Sequence, residues 1–170
     1  MSKHIKKLRI FFASICFVIL SVTTYAQEIP MIPAQVVKII KGDTIVVTIT
    51  GREEQVRLIG IDIPPPKYLG KTHFHGIEAY DYLNSFLVNE TVFLEFDVEK
   101  VDRQGRLLAY VWLDEPINSS EREKRTKMLN AKLLLDGYGP VLIHQPNTKY
   151  LTSFQHYQNE AKENKLRYWQ

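Results

Sequence analysis

Residues 34–61 read AQVVKIIKGDTIVVTITGREEQVRLIGI. Three β-branched runs stand out, Ala34–Ile40, Asp43–Thr50 and Gln55–Ile61, separated by Gly42 and by the turn pair Gly51-Arg52. Val, Ile and Thr fit a pleated, half-buried surface, and Gly marks where it breaks, so this stretch predicts three consecutive strands. Pro64-Pro65-Pro66 ends the third, because proline cannot donate to a ladder.

Downstream, Ile77, Tyr80, Leu83 and Leu87 share one face of a helix over 76–89. Two further strands follow, Thr91–Asp97 and Leu107–Leu113, joined by the turn Asp102-Arg103-Gln104-Gly105. A second helix is expected over 128–136 with Gly137 as its stop, and a third over 150–167. Glu115–Lys127 is very polar and reads as a surface excursion. Five short strands leave exposed edges unless they close on themselves. The expectation is an α+β, mainly β chain: a five-stranded OB-type barrel with about three packed helices.

The N-terminus reads differently. Lys3, Lys6, Lys7 and Arg9 precede an apolar run over 10–20, and a small-residue zone ends at Ala26. That order describes a signal peptide over 1–26, and the run is short for a membrane span. One domain over 27–170 remains, expected to be exported, either secreted or periplasmic, with no membrane association after cleavage and as a monomer. Cys16, the one cysteine of the 170 residues, leaves with the signal. The full chain has 22 Lys+Arg against 19 Asp+Glu, a net of +3. Without the four basic residues of the signal, 18 face 19 and the net is −1. The positive balance is a targeting charge, so any affinity for a polyanion must come from placed residues.

Four such residues fall at strand ends: Asp43, Arg57, Asp62 and Arg106. Two carboxylates and two guanidinium groups at one barrel mouth suit a phosphodiester. Hard oxygens hold Ca²⁺ or Mg²⁺, and forked arginines stabilise the charge of the transition state. Strand parity opposes part of this, since Arg57 and Asp62 are five apart and an ideal strand sends them to opposite faces. A bend near Gly60 would reconcile them.

The segments VVKIIKGDTIVV, VRLIGIDIP, VDRQGRLLAYVW, LNAKLLLDGYG and NEAKENKLRYW, in this order, resemble the staphylococcal nuclease (thermonuclease) family. The resemblance implies an OB barrel and a Ca²⁺-dependent, secreted nuclease acting on DNA and RNA. It implies calcium ligation by Asp43, Asp62 and the backbone carbonyl of Ile63, and a phosphate grip by Arg57 and Arg106. Glu78 matches a glutamate expected to be structural.

Two positions depart from the family pattern. Where the family has a glutamate that orients or deprotonates the attacking water, this chain has Pro65, which cannot accept a proton. Where it has an acid before Gly-Asp-Thr, this chain has Lys41, whose charge would weaken cation binding if directed inward. His73 and His75, in the loop after the prolines, are candidate substitute bases. Tyr138 and His144 are candidate substrate contacts, with Tyr68 and Tyr150 as further candidates for base stacking. Besides a nuclease, an impaired nuclease-fold module that binds nucleic acid or protein stays open.

Overall fold

The computed structural model describes residues 30–68 and 70–170; the expected signal segment, with Cys16, lies outside the described residues, as does the side chain of Tyr68. Five strands form a closed barrel: β1 (Met31–Lys41), β2 (Thr44–Ile49), β3 (Arg52–Leu58), β6 (Thr91–Glu95) and β7 (Leu107–Trp112). The strand order is β1-β2-β3-β7-β6, and β6 closes the ring by pairing back to β1, with Ala34 opposite Val92. β3 and β7 run parallel, Val56 facing Leu107 and Arg57 facing Leu108, while the other barrel pairs are antiparallel. A small hairpin, β4 (Lys67–Tyr68) and β5 (Lys71–Thr72), follows the prolines.

Long β1 serves two neighbours, and register shifts at Val36/Lys38 and Ile39/Lys41 bend it to do so. The interior is filled by branched aliphatic and aromatic side chains, including Val36, Ile45, Val47, Val56, Leu58, Leu94, Val111 and Trp112. Four helices pack against it: α1 (Phe74–Phe86), α2 (Glu121–Lys127), α3 (Leu129–Leu135) and α4 (Leu151–Glu163). α1 contributes Ala79 and Leu83, α3 Leu129, Leu133 and Leu134, and α4 Phe154, Tyr157 and Ala161 to the buried set. Among the described residues, no helix is long and apolar enough to cross a membrane.

Three boundaries differ from the sequence reading, each for a physical reason. β3 stops at Leu58 rather than Ile61, because Gly60 turns with φ +83°. A Cβ there would lie 2.4 Å from the Phe154 ring, so the turn and the seat of α4 require glycine together. The last helix ends at Glu163, and Lys165 and Arg167, both at positive φ, lead into a separate 3-10 turn over Arg167–Trp169.

The third difference is α2, inside the stretch expected to be an excursion. Ser120 caps it, its Oγ accepting from the Glu123 N–H at 3.4 Å, with acids in the first turn and Lys124, Arg125 and Lys127 in the last. It docks on α4 through polar groups. Glu121 accepts from the Tyr157 hydroxyl at 2.6 Å and from Ser153 Oγ at 3.0 Å, and pairs with Lys124; Arg125 pairs with Glu160.

Two outcomes follow. Gly60→Ala should lower stability by about 2–4 kcal/mol in urea titrations, from overpacking and positive-φ strain. Burial opposes ionisation of Glu121, but its bonds to Lys124, Tyr157 and Ser153 outweigh it and hold the carboxyl at about 2. A depressed folded-state value contributes stability that is present above the usual carboxylate range and lost as pH falls toward 2. Glu121→Gln should therefore flatten the stability profile between those limits, as read by thermal melts across pH.

Candidate active site

Asp43 follows Gly42 in the tight connection from β1 to β2 and is fully buried. A Cβ on Gly42 would lie 2.6 Å from Ile63, so glycine lets this corner close on the 61–63 segment. Oδ1 of Asp43 accepts from Thr44 Oγ1 at 2.8 Å and faces Lys41 Nζ at 3.0 Å. Oδ2 accepts from the Ile63 N–H at 2.8 Å and from Lys41 Nζ at 3.2 Å, and faces Arg57 Nη2 at 3.3 Å. The carboxylate is saturated by donors of this chain.

Arg57 stands on β3 opposite Thr44 and is 4% exposed. Nη1 donates to the carbonyls of Leu58 and Ile61, both at 2.7 Å, and Nη2 reaches Asp62 Oδ1 at 3.3 Å. Burial pulls its pKa down, while Asp43 and then Asp62 push it back up. The Gly60 turn removes the parity problem: Asp62 lies beyond the strand, returns beside Arg57, and keeps its side chain 55% exposed. The bend expected there is present.

Arg106 enters β7 next to Leu107, whose partner Val56 precedes Arg57, so parallel pairing sets both arginines at one barrel end. Nε and Nη2 of Arg106 hold Asp102 Oδ2 at 2.7 and 2.6 Å. Asp102 Oδ1 also accepts from the Gln104 and Arg106 N–H groups, at 2.8 and 3.0 Å. Burial raises the pKa of Asp102, but these bonds and the Arg106 charge bring it below the ordinary value. Asp102 is the residue the sequence reading took only as a turn former. Its signal was an acid four residues before an arginine across a glycine.

Arg106 and Asp102 line an open groove of about 790 Å³ together with His144 and Pro146. His144 is half-buried there; burial, then the Arg57 charge, lower its pKa and keep the imidazole neutral near pH 7. Tyr138 is 4% exposed, stacked on Tyr82 at 5.1 Å with the Arg167 guanidinium 4.4 Å over its ring. Tyr150, raised as a base-stacking candidate, sits in the core with its hydroxyl on buried Glu95 at 3.0 Å.

His75 meets Glu78 at 3.3 Å and the Tyr168 ring edge-on at 5.8 Å, and the His73 N–H donates to the Pro66 carbonyl. Among the described residues, no hydrogen bond or ion pair joins His73 or His75 to the four charged site residues. Pro65 is half-buried, and a Cβ on Gly76, near the start of α1, would lie 2.9 Å from its carbonyl, so glycine lets the helix approach the proline segment.

The same donor set bears on a divalent cation. Such an ion takes six or more hard oxygens. Among the described residues no cluster of three His, Cys, Asp or Glu is placed to hold a metal. Asp43 is saturated, Lys41 points inward onto it, and Ile63 meets it through N–H. As arranged, the residues do not fit the ion.

Residues 55–170 match the family model described as "Staphylococcal nuclease homologue". The chain is 35% identical to a thermonuclease of Staphylococcus hyicus over 136 residues, covering 79% of this chain and 74% of that protein. A thermonuclease of Staphylococcus intermedius is 35% identical over 134 residues, with 78% and 73% covered. Endonuclease YncB of Bacillus subtilis is 35% identical over 133 residues, with 76% of this chain and 58% of that protein covered.

The two arginines should behave unequally in denaturant. Arg57→Ala removes one partner of buried Asp43 and the donor to the carbonyls of Leu58 and Ile61, and should cost about 3–5 kcal/mol. Arg106→Ala, a part-exposed pair with Asp102, should cost no more than about 1 kcal/mol.

Proposed function

The chain belongs to the staphylococcal nuclease family, and from that premise we propose that it is an exported nuclease that hydrolyses phosphodiester bonds in DNA and RNA, with weakened catalysis. The observation that carries this reading is the contact of Asp43, Arg57 and Asp62 at the barrel end where parallel pairing also sets Arg106, which lines an open groove of about 790 Å³.

In this reading, the scissile phosphate lies in the groove against Arg106. Nε and Nη2 of Arg106 are held by Asp102, which fixes the plane of the guanidinium before substrate arrives. Arg57 works from behind. Its donors are engaged with the protein, so it supplies a fixed positive potential rather than a moving contact. Charge growing on the phosphoryl oxygens meets donors that need no reorganisation, which carries most of phosphoryl-transfer catalysis. His144, neutral and also lining the groove, is proposed to contact the substrate, whereas Tyr138, buried against Tyr82 and Arg167, is proposed only as a packing residue.

The attacking water has no carboxylate at Pro65 to take its proton. His73 and His75 remain the proposed substitutes within this reading. Loss of a general base typically costs about 10²–10⁴ in rate, which slows such an enzyme without removing it. Calcium, the cofactor that the resemblance implies, would meet Asp43, Asp62 and the Ile63 carbonyl only by displacing Lys41, so no step is derived through it. Export rests on the segment 1–26, with residues 27–170 as one domain. A second reading, an impaired module that binds nucleic acid, is favoured by Pro65 alone.

Single-stranded DNA incubated with purified protein should be cleaved slowly. Arg106→Ala should reduce the rate by about 10²–10³-fold, the scale of removing one transition-state donor. Pro65→Glu should raise it by as much as about 10²-fold. Binding without cleavage in the wild type and in Pro65→Glu, across pH values and metals, would replace the nuclease with the binding module.

A further inference from the structure

We propose that Lys41 is the resident cation of this site: its ammonium, seated on Asp43, takes the place of a divalent ion and makes cleavage independent of calcium. The inference deepens the nuclease reading and rests on it for the catalytic half alone.

The geometry is direct. Lys41 ends β1 at a register shift, and its Nζ lies 3.0 and 3.2 Å from the two oxygens of Asp43. Asp43 is wholly buried and the Lys41 side chain is 23% exposed, so the pair is shielded from water and salt on most sides. An ammonium has three N–H donors, and Asp43 is its one recorded partner among the described residues, which leaves donor capacity for an anion.

Charge balance points the same way. Asp43 and Asp62 supply two negative charges, and Arg57 and Lys41 two positive ones, so the cluster is neutral as it stands. Arg106 and Asp102 balance each other beside it. A divalent ion placed here would bring two uncompensated positive charges next to an ammonium and a buried guanidinium. An acid at position 41 would reverse this, leaving the cluster at −2, the charge a divalent ion neutralises. The second departure agrees with the first. Pro65, like Lys41, stands where a carboxylate would serve the cation or its water, and the chain carries neither.

The test compares the wild type with Lys41→Asp and Lys41→Gln, by thermal melts and titration calorimetry with CaCl₂ and by cleavage of single-stranded DNA in CaCl₂ or EDTA. A ligand that binds only the folded state raises the melting temperature. The wild type should melt at the same temperature in millimolar CaCl₂ and in EDTA and cleave equally in both. Lys41→Asp should gain a calcium-dependent rise, with affinity at least roughly tenfold above the wild type, as removal of a close like charge implies. Lys41→Gln, which removes the charge with a shorter polar side chain at a part-exposed strand end, should shift in the same direction, and it carries the comparison if Lys41→Asp does not fold. Calcium raising the melting temperature of the wild type and the variants alike, or of none of them, overturns the proposal, as does wild-type cleavage abolished by EDTA. Absence of cleavage in every protein removes the nuclease reading, while the melts and calorimetry still decide whether Lys41 fills the cation position.

Discussion

A guanidinium buried to 4% exposure governs this site. Such a charge cannot stand unpaired in a barrel wall, and breaking its partnerships is far costlier than breaking a surface pair. Arg57 is satisfied by the carbonyls of Leu58 and Ile61 and by Asp43 and Asp62. Those acceptors exist in one place only if the chain turns sharply after Leu58. The turn is also held from the other side. Asn130 on α3 donates to the Ile59 carbonyl and accepts from the Val111 N–H, each at 2.8 Å, while the Asp62 N–H reaches the Pro140 carbonyl at 3.0 Å. Fold and site therefore meet in one segment, 57–63, where satisfying a buried cation also positions the acids.

The barrel was legible because its signal is local. β-branched runs and Gly-marked turns located the five barrel strands but not the short β4–β5 hairpin, and apolar spacing located α1, α3 and α4. α2 was not legible, because its attachment to α4 is made by Glu121, Lys124 and Arg125, and ionic contacts leave no apolar period to read. The end of α4 was missed because Lys165 and Arg167 take positive φ without being glycine. The convergence of Arg57 and Asp62 was half legible: parity argued against it, and Gly60 held the means of resolving it. The sequence could not separate Tyr138 and Tyr150 from exposed stacking aromatics, since the same residue type serves a core and a binding surface.

Composition misleads about this site in both directions. The net of +3 comes from the first 26 residues, and the remainder is slightly acidic. Attraction of a polyanion then depends on short-range fields, screened within about 8–10 Å at physiological salt. What matters is the balance inside that radius, where Lys41 and Arg57 offset Asp43 and Asp62 while Arg106 faces the groove with Asp102 behind it.

The two arginines, alike in the linear motif, are thus unlike in role. Arg57 has its terminal nitrogens engaged by the protein, and moving them would dismantle the turn that they hold. Arg106 is held along one edge by a single carboxylate and lines open volume with the other. A group that must keep the fold cannot also move with a ligand, so in the proposed reaction adaptation to substrate is assigned to Arg106 and to the Lys41 ammonium. Both are tethered by one carboxylate each and both are part-exposed. In the proposed scheme, Lys41 completes the charge of the site from its part-exposed side, while the buried partnerships of Arg57 hold the turn and are independent of it.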